Sequence, residues 1–151
     1  MKKILFLIHD LGHGGAEKVL VNLVNNMDFK KFDITVMTLF DTGVNRQFLN
    51  PHITYKSCFS KMVPGNSKIM KLLSPSRLHK WLIKEHYDIE ISYLEGPSAR
   101  VISGCQNKNT KLVCWIHIEQ KTLKRATASF RSYKEAEQCY NRFDKIVAVS
   151  E

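Results

Sequence analysis

The sequence lacks several things that narrow its class. It has no CxxC pair, no internal repeat, no low-complexity segment and no long apolar run. Without the ~18 consecutive apolar residues of a membrane span, the chain is not expected to cross a bilayer. Lys2 and Lys3 before Ile4–Ile8 mimic a signal peptide. His9 and Asp10 end that apolar run below the ~7 residues an h-region needs. The four cysteines, Cys58, Cys105, Cys114 and Cys139, have no paired spacing. They read as buried reduced thiols of a cytoplasmic protein. Acidic residues are missing between Asp41 and Glu85, where Arg46, Lys56, Lys61, Lys68, Lys71, Arg77, Lys80 and Lys84 all fall. A second basic stretch carries Lys121, Lys124, Arg125, Arg131 and Lys134. With a net charge of +9, this asymmetry reads either as a surface for an anionic partner or as a solvated basic face. The stretches hold no nucleic-acid reading motif and their aromatics fall on apolar helix faces, which ranks nucleic acid last among such partners.

The chain is organised around Gly12-His13-Gly14-Gly15-Ala16-Glu17. Ile4–Ile8 before it is all apolar and bulky, the pattern of a strand buried on both faces. Val19, Leu20, Leu23, Val24 and Met27 after it recur at helical spacing. Strand, glycine turn and helix open a doubly wound α/β domain, with the helix's free N–H groups facing the crevice. A dinucleotide fingerprint would need a third glycine where Glu17 stands. The Glu17 carboxylate would repel a pyrophosphate there, although it would also meet the positive end of a helix dipole. Asp41, after the second strand, is the position a ribose-binding acid would take. The acid-for-glycine exchange nevertheless argues against a nicotinamide-type cofactor.

At 151 residues the chain is one domain, long enough for a core. Further strands are predicted at Ile34–Leu39, Ile53–Cys58 (an edge strand, half polar), Ile89–Leu94, Lys111–Ile116 and Lys145–Val149. Arg46–Leu49 reads as a short helical turn. Residues 67–86 read as helix divided at Ser74-Pro75, an N-cap followed by a first-turn proline. Lysines flanking Trp81 fit a helix lying on an anionic membrane surface, and equally an ordinary helix packed on the sheet. Leu123, Ala126, Phe130, Tyr133, Ala136 and Tyr140 predict one long helix. The result is a mainly parallel, Rossmann-like sheet of about six strands with helices on both faces.

Ligands of such sheets bind beyond the carboxyl ends of the strands. The residues gathered there are His9, Asp10, the glycine turn, Asp41, Glu95, Gly96, His117, Glu119 and Ser150. Each alone also reads as an ordinary strand-end or loop residue; the clustering is the signal.

Lys3-Ile4-Leu5-Phe6 leading through Gly14-Gly15-Ala16-Glu17 into Val19–Leu23 resembles the start of glycosyltransferase family 4, retaining enzymes of the GT-B fold. Trp115-Ile116-His117 and Ile146–Ser150 match the same family in order. The resemblance implies that residues 1–151 are an N-terminal acceptor-binding domain. A second domain, absent from this chain, would grip the nucleotide-sugar donor, and 151 residues alone would be inactive. It implies Gly14 and Gly15 beside the donor phosphates and acceptor, and His117 as the catalytic-site residue positioning the donor sugar. Glu17, His13, Glu95 and Gly96 are the acceptor-side candidates. The acceptor would be a glycan or a lipid-linked sugar of polysaccharide biosynthesis, reached at the cytoplasmic face of the membrane. Lys68, Lys71, Arg77, Lys80, Trp81 and Lys84 are the membrane-surface candidates. No cofactor and no metal are implied. The alternative is a non-catalytic binding module acting with a partner chain or a membrane surface.

Overall fold

The computed structural model describes residues 1–119 and 121–149. Its elements run β1 (Lys2–Ile8), α1 (Gly15–Asn26), β2 (Phe32–Phe40), a 3-10 turn (Val44–Phe48), β3 (Thr54–Phe59), α2 (Asn66–Leu72), α3 (Pro75–Leu82), β4 (Ile89–Ser92), α4 (Pro97–Ser103), β5 (Lys111–Ile116), α5 (Leu123–Ala126), α6 (Tyr133–Asn141) and β6 (Lys145–Ala148). All neighbouring strands pair parallel, in the order β3-β2-β1-β4-β5-β6. The order reverses between β1 and β4, which makes their carboxyl ends the ligand crevice of this topology. No helix among the described residues is long and apolar enough to cross a membrane.

Alternation along β1 divides the core. Ile4, Phe6 and Ile8 join Leu20, Val21 and Val24 of α1 on one face. Leu5 and Leu7 join Met70, Leu78, Val101 and Ile102 of α2, α3 and α4 on the other. β1 starts two residues before its apolar run, because Lys2 and Lys3 pair with Phe32 and Asp33 of β2 while their side chains stay exposed. The division at Ser74-Pro75 is where the sequence puts it, with Ser74 Oγ accepting the Arg77 N–H at 3.3 Å.

The long helix expected from Leu123 to Tyr140 is two helices. Leu123 and Tyr133 are exposed, so the apparent stripe is not one buried face. Ser132 starts α6 by accepting the Glu135 N–H at 3.1 Å, and Glu135 Oε1 accepts the Arg131 N–H at 3.0 Å. The Ser-x-x-Glu spacing is a helix start signal legible in the sequence, with the Glu135 carboxylate here reaching the N–H one residue before the N-cap.

Glu135 also receives Arg100, a fully buried arginine on α4, whose Nε donates at 2.8 Å. The remaining Arg100 nitrogens donate to the Met70 and Leu73 carbonyls at 2.9 and 2.7 Å. Arg131 donates to Lys71 and Leu72 carbonyls, each at 2.6 Å. Two cations therefore satisfy the open carbonyls at the end of α2, where the helix dipole is negative. This ties α2, α4 and α6 into one wall of the crevice.

Candidate active site at the switch point

The loop leaving β1 is built by its own polar groups and by the loop after β2. Asp10 Oδ1 accepts the Gly12 N–H at 2.8 Å, and its Oδ2 lies 2.6 Å from His9 Nδ1. Leu11 donates to the Thr42 carbonyl at 3.1 Å and accepts from the Asn45 N–H at 3.0 Å. The buried Asn45 amide also donates to the Gly12 carbonyl. Gly43 packs so closely that a Cβ would sit 2.1 Å from the Leu11 carbonyl, at φ +115°. Only glycine fits there. Asp41 is committed to Tyr55 and Arg46, at 2.8 and 2.9 Å, which gives its carboxylate a structural task in place of the ribose contact considered above.

Within the turn the two glycines differ. At Gly14, the N-cap, an added Cβ would lie 2.2 Å from Glu17 Oε2. The Glu17 carboxylate therefore folds back over the start of α1, where the dipole favours it. At Gly15 nothing lies within 4 Å of the Cβ position, and the residue is exposed. His13 is exposed on the same turn.

On the α1 face, β4 and β5 end in stacked rings. Tyr93 lies 4.8 Å from Trp115 and 4.8 Å from His117, centre to centre. The backbone N–H of His117 donates to Glu95 Oε2 at 3.0 Å, so the Glu95 carboxylate holds the end of β5 in place. Tyr93 Oη and His117 Nε2 are buried and have no hydrogen-bond partner among the described residues. Burial pushes the Tyr93 phenol up to about 12, which keeps it neutral. Leaving buried polar atoms unpaired costs about 1–3 kcal/mol each, so two on touching rings mark a place where something polar is to be received. Gly96 has φ +87° and donates its N–H to Tyr140 Oη at 3.3 Å. It sets the turn into α4.

On the opposite face a cavity of about 190 Å³ opens at the same rim, lined by His9, Phe40, Met70, Lys71, Pro97 and Ser129 among others. Sequence reasoning placed His9 here but missed the cavity, because its walls come from β2, α2, α4 and residues 128–129. Ser150 lies outside the described residues, and Glu119 is exposed on the loop after His117.

The membrane-surface candidates lie mostly on solvent. Lys68, Arg77, Lys80, Trp81 and Lys84 are exposed. Trp81 also packs edge-on against Phe59, which makes it half a core residue. Lys71 differs: its ammonium donates to the Ala128 carbonyl at 2.7 Å and lines the cavity. Met62 and Val63 are exposed apolar neighbours, and so are Ile69 and Leu72, which helical periodicity assigns to an apolar stripe.

The arrangement offers an open helix start, an imidazole nitrogen unpaired among the described residues and a recess for a second molecule around one crevice. No curated protein matches the chain. The family model of Glycosyltransferase Family 4 matches residues 13–151, a span that contains Gly14, Gly15 and Glu17 of the glycine turn, the β4 and β5 ends and the cavity wall apart from His9. The chain belongs to glycosyltransferase family 4, and the crevice is that of a domain that takes part in moving a sugar from a donor to an acceptor.

Proposed function

We propose that these residues form the acceptor-side half of a retaining, nucleotide-sugar-dependent glycosyltransferase of the GT-B type. The observation that carries this reading is the buried Nε2 of His117 at the crevice, which has no hydrogen-bond partner among the described residues. A hydroxyl of the donor sugar would satisfy that nitrogen, which positions the sugar without requiring His117 to take a proton. The open backbone at Gly15 would let an N–H of the α1 start approach a phosphate oxygen as charge grows on the leaving diphosphate. With Glu17 folded over Gly14, phosphate approaches at Gly15, and the Glu17 carboxylate is placed to accept an acceptor hydroxyl. His13, at the exposed tip, would meet the acceptor from outside. Around the turn, Arg46 is already paired with Asp41. The main grip on the diphosphate is assigned to the donor-binding domain of a two-domain GT-B enzyme.

In the same-face scheme drawn for retaining enzymes of this kind, the acceptor hydroxyl attacks the anomeric carbon as the diphosphate departs. The hydroxyl proton passes to the departing phosphate oxygen, so no dedicated base is required. The test is transfer from labelled nucleotide sugars to lipid and glycan extracts by the active protein, with the product anomer read by proton NMR. One nucleoside diphosphate released per sugar transferred, with the anomeric configuration kept, is the expected result. An inverted product would refute the retaining assignment, and transfer from a non-nucleotide donor would refute the donor class.

The reading extends to lipid-linked acceptors through the exposed face of α2 and α3. Lys68, Arg77, Lys80 and Lys84, with Ile69 and Leu72 nearby in sequence, combine cationic and apolar exposure. Each cation held near an anionic surface contributes about 1 kcal/mol, fading beyond a Debye length. Co-sedimentation with anionic vesicles is expected at low salt, to fall at high salt and to be lost on exchanging Lys68, Arg77 and Lys80 for glutamate. Equal sedimentation with neutral vesicles, or none with either, would return this face to plain solvation.

A further inference from the structure

Sugar transfer at the rim makes no use of a second group of reactive side chains, buried beneath α3. Glu90 is the second residue of the central strand β4, flanked in register by Leu5 and Leu112. It is 2 % exposed on a face otherwise made of Leu5, Leu78, Ile83 and Leu112. His79 of α3 places Nε2 2.7 Å from Glu90 Oε2. Cys105, just beyond α4, is 3 % exposed and brings its sulfur to the same point. The three ligand atoms all lie within 4.8 Å of one another. A buried ion pair on its own contributes little to stability compared with apolar residues of the same volume, so its presence in a central strand calls for a use.

We propose that His79, Glu90 and Cys105 form a zinc-binding site. The donor set is one nitrogen, one oxygen and one sulfur, which suits Zn²⁺ and not the oxygen-seeking Mg²⁺ or Ca²⁺. Tetrahedral Zn²⁺ with its usual bond lengths needs ligand atoms about 3.4–3.6 Å apart. The His79–Glu90 pair would open by under about 1 Å to admit it, a small side-chain adjustment set against the zinc bond lengths. Binding replaces the proton shared by His79 and Glu90 and takes the thiol proton of Cys105, both going to solvent. The resulting site sums to zero: two positive charges on the metal, one negative on the thiolate, one on the carboxylate, none on imidazole. Neutrality is what a buried site requires. A water would take the fourth position from a recess beside His79 lined by Ser76, Lys80, Gly104 and Gln106.

The ligands are held from rigid elements. The Cys105 N–H donates to Ile102 at 3.1 Å, and Arg142 grips the Cys105 carbonyl at 2.7 Å. Zinc would join α3, β4 and the end of α4 far from the rim. His79, Glu90 and Cys105, 11 and 15 residues apart, follow no ligand motif, which is why spacing implied no metal.

Chelator-treated protein titrated with Zn²⁺, and separately with Co²⁺, tests this directly. The expected result is one ion per chain, a higher melting temperature, and with Co²⁺ a sulfur-to-metal charge-transfer band. Cys105→Ser should remove that band and weaken Zn²⁺ binding more than about a hundredfold, since even outer partners of metal ligands are worth ten- to hundredfold. Cys58→Ser should leave both unchanged. Absence of the Co²⁺ band in the unmutated protein, or a band insensitive to Cys105→Ser, would overturn the site.

Discussion

Replacing Gly15 by aspartate should abolish sugar transfer while leaving the protein folded. The position has no neighbour within 4 Å of a Cβ, its φ is not in the left-handed region, and it begins α1. A side chain is therefore accommodated, and an acid in the first turn even suits the helix dipole. The same carboxylate would stand where a leaving phosphate is proposed to rest. Two like charges about 4 Å apart at an effective dielectric near 20 repel by about 4 kcal/mol, which is about a thousandfold in rate. Turnover and melting temperature measured side by side decide it. Full activity in a normally folded mutant would remove the turn from the site, and Gly15→Ala should show a smaller loss of the same kind.

The second large effect is expected at His117. Its ring lies tilted against Tyr93 and stacked with Trp115, but its Nε2 contributes no protein hydrogen bond among the described residues. Replacement by phenylalanine keeps an aromatic ring against Tyr93 and Trp115 while removing the nitrogens, so stability should change by less than about 1 kcal/mol. Turnover should fall at least about a hundredfold, the scale on which one preorganised polar contact acts. A mutant that melts early yet keeps its activity per folded molecule would make His117 a packing residue.

The fold is legible wherever local pattern and tertiary burial agree. β5 runs Lys111–Ile116 as its apolar run predicts, and α1 begins at the glycine turn. The pattern misled at 123–140, where six apolar residues at helical spacing outweighed the Ser132-x-x-Glu135 box that starts α6. The rim residues were found because a parallel sheet delivers every strand end to one edge. Their individual tasks were not, because those depend on partners distant in sequence. Glu95 serves the His117 backbone, Asn45 holds the Gly12 carbonyl and Lys71 reaches Ala128. The buried triad of His79, Glu90 and Cys105 is hidden for the same reason.

The division of labour between an acceptor side and a separately held donor is tested most directly by calorimetric titration of these 151 residues with nucleotide sugars, UDP-glucose and GDP-mannose serving as probes. With the Gly15 backbone and His117 as the proposed donor contacts, binding should be no tighter than roughly millimolar, about 4 kcal/mol of affinity. Micromolar binding of either probe by this chain would contradict the division.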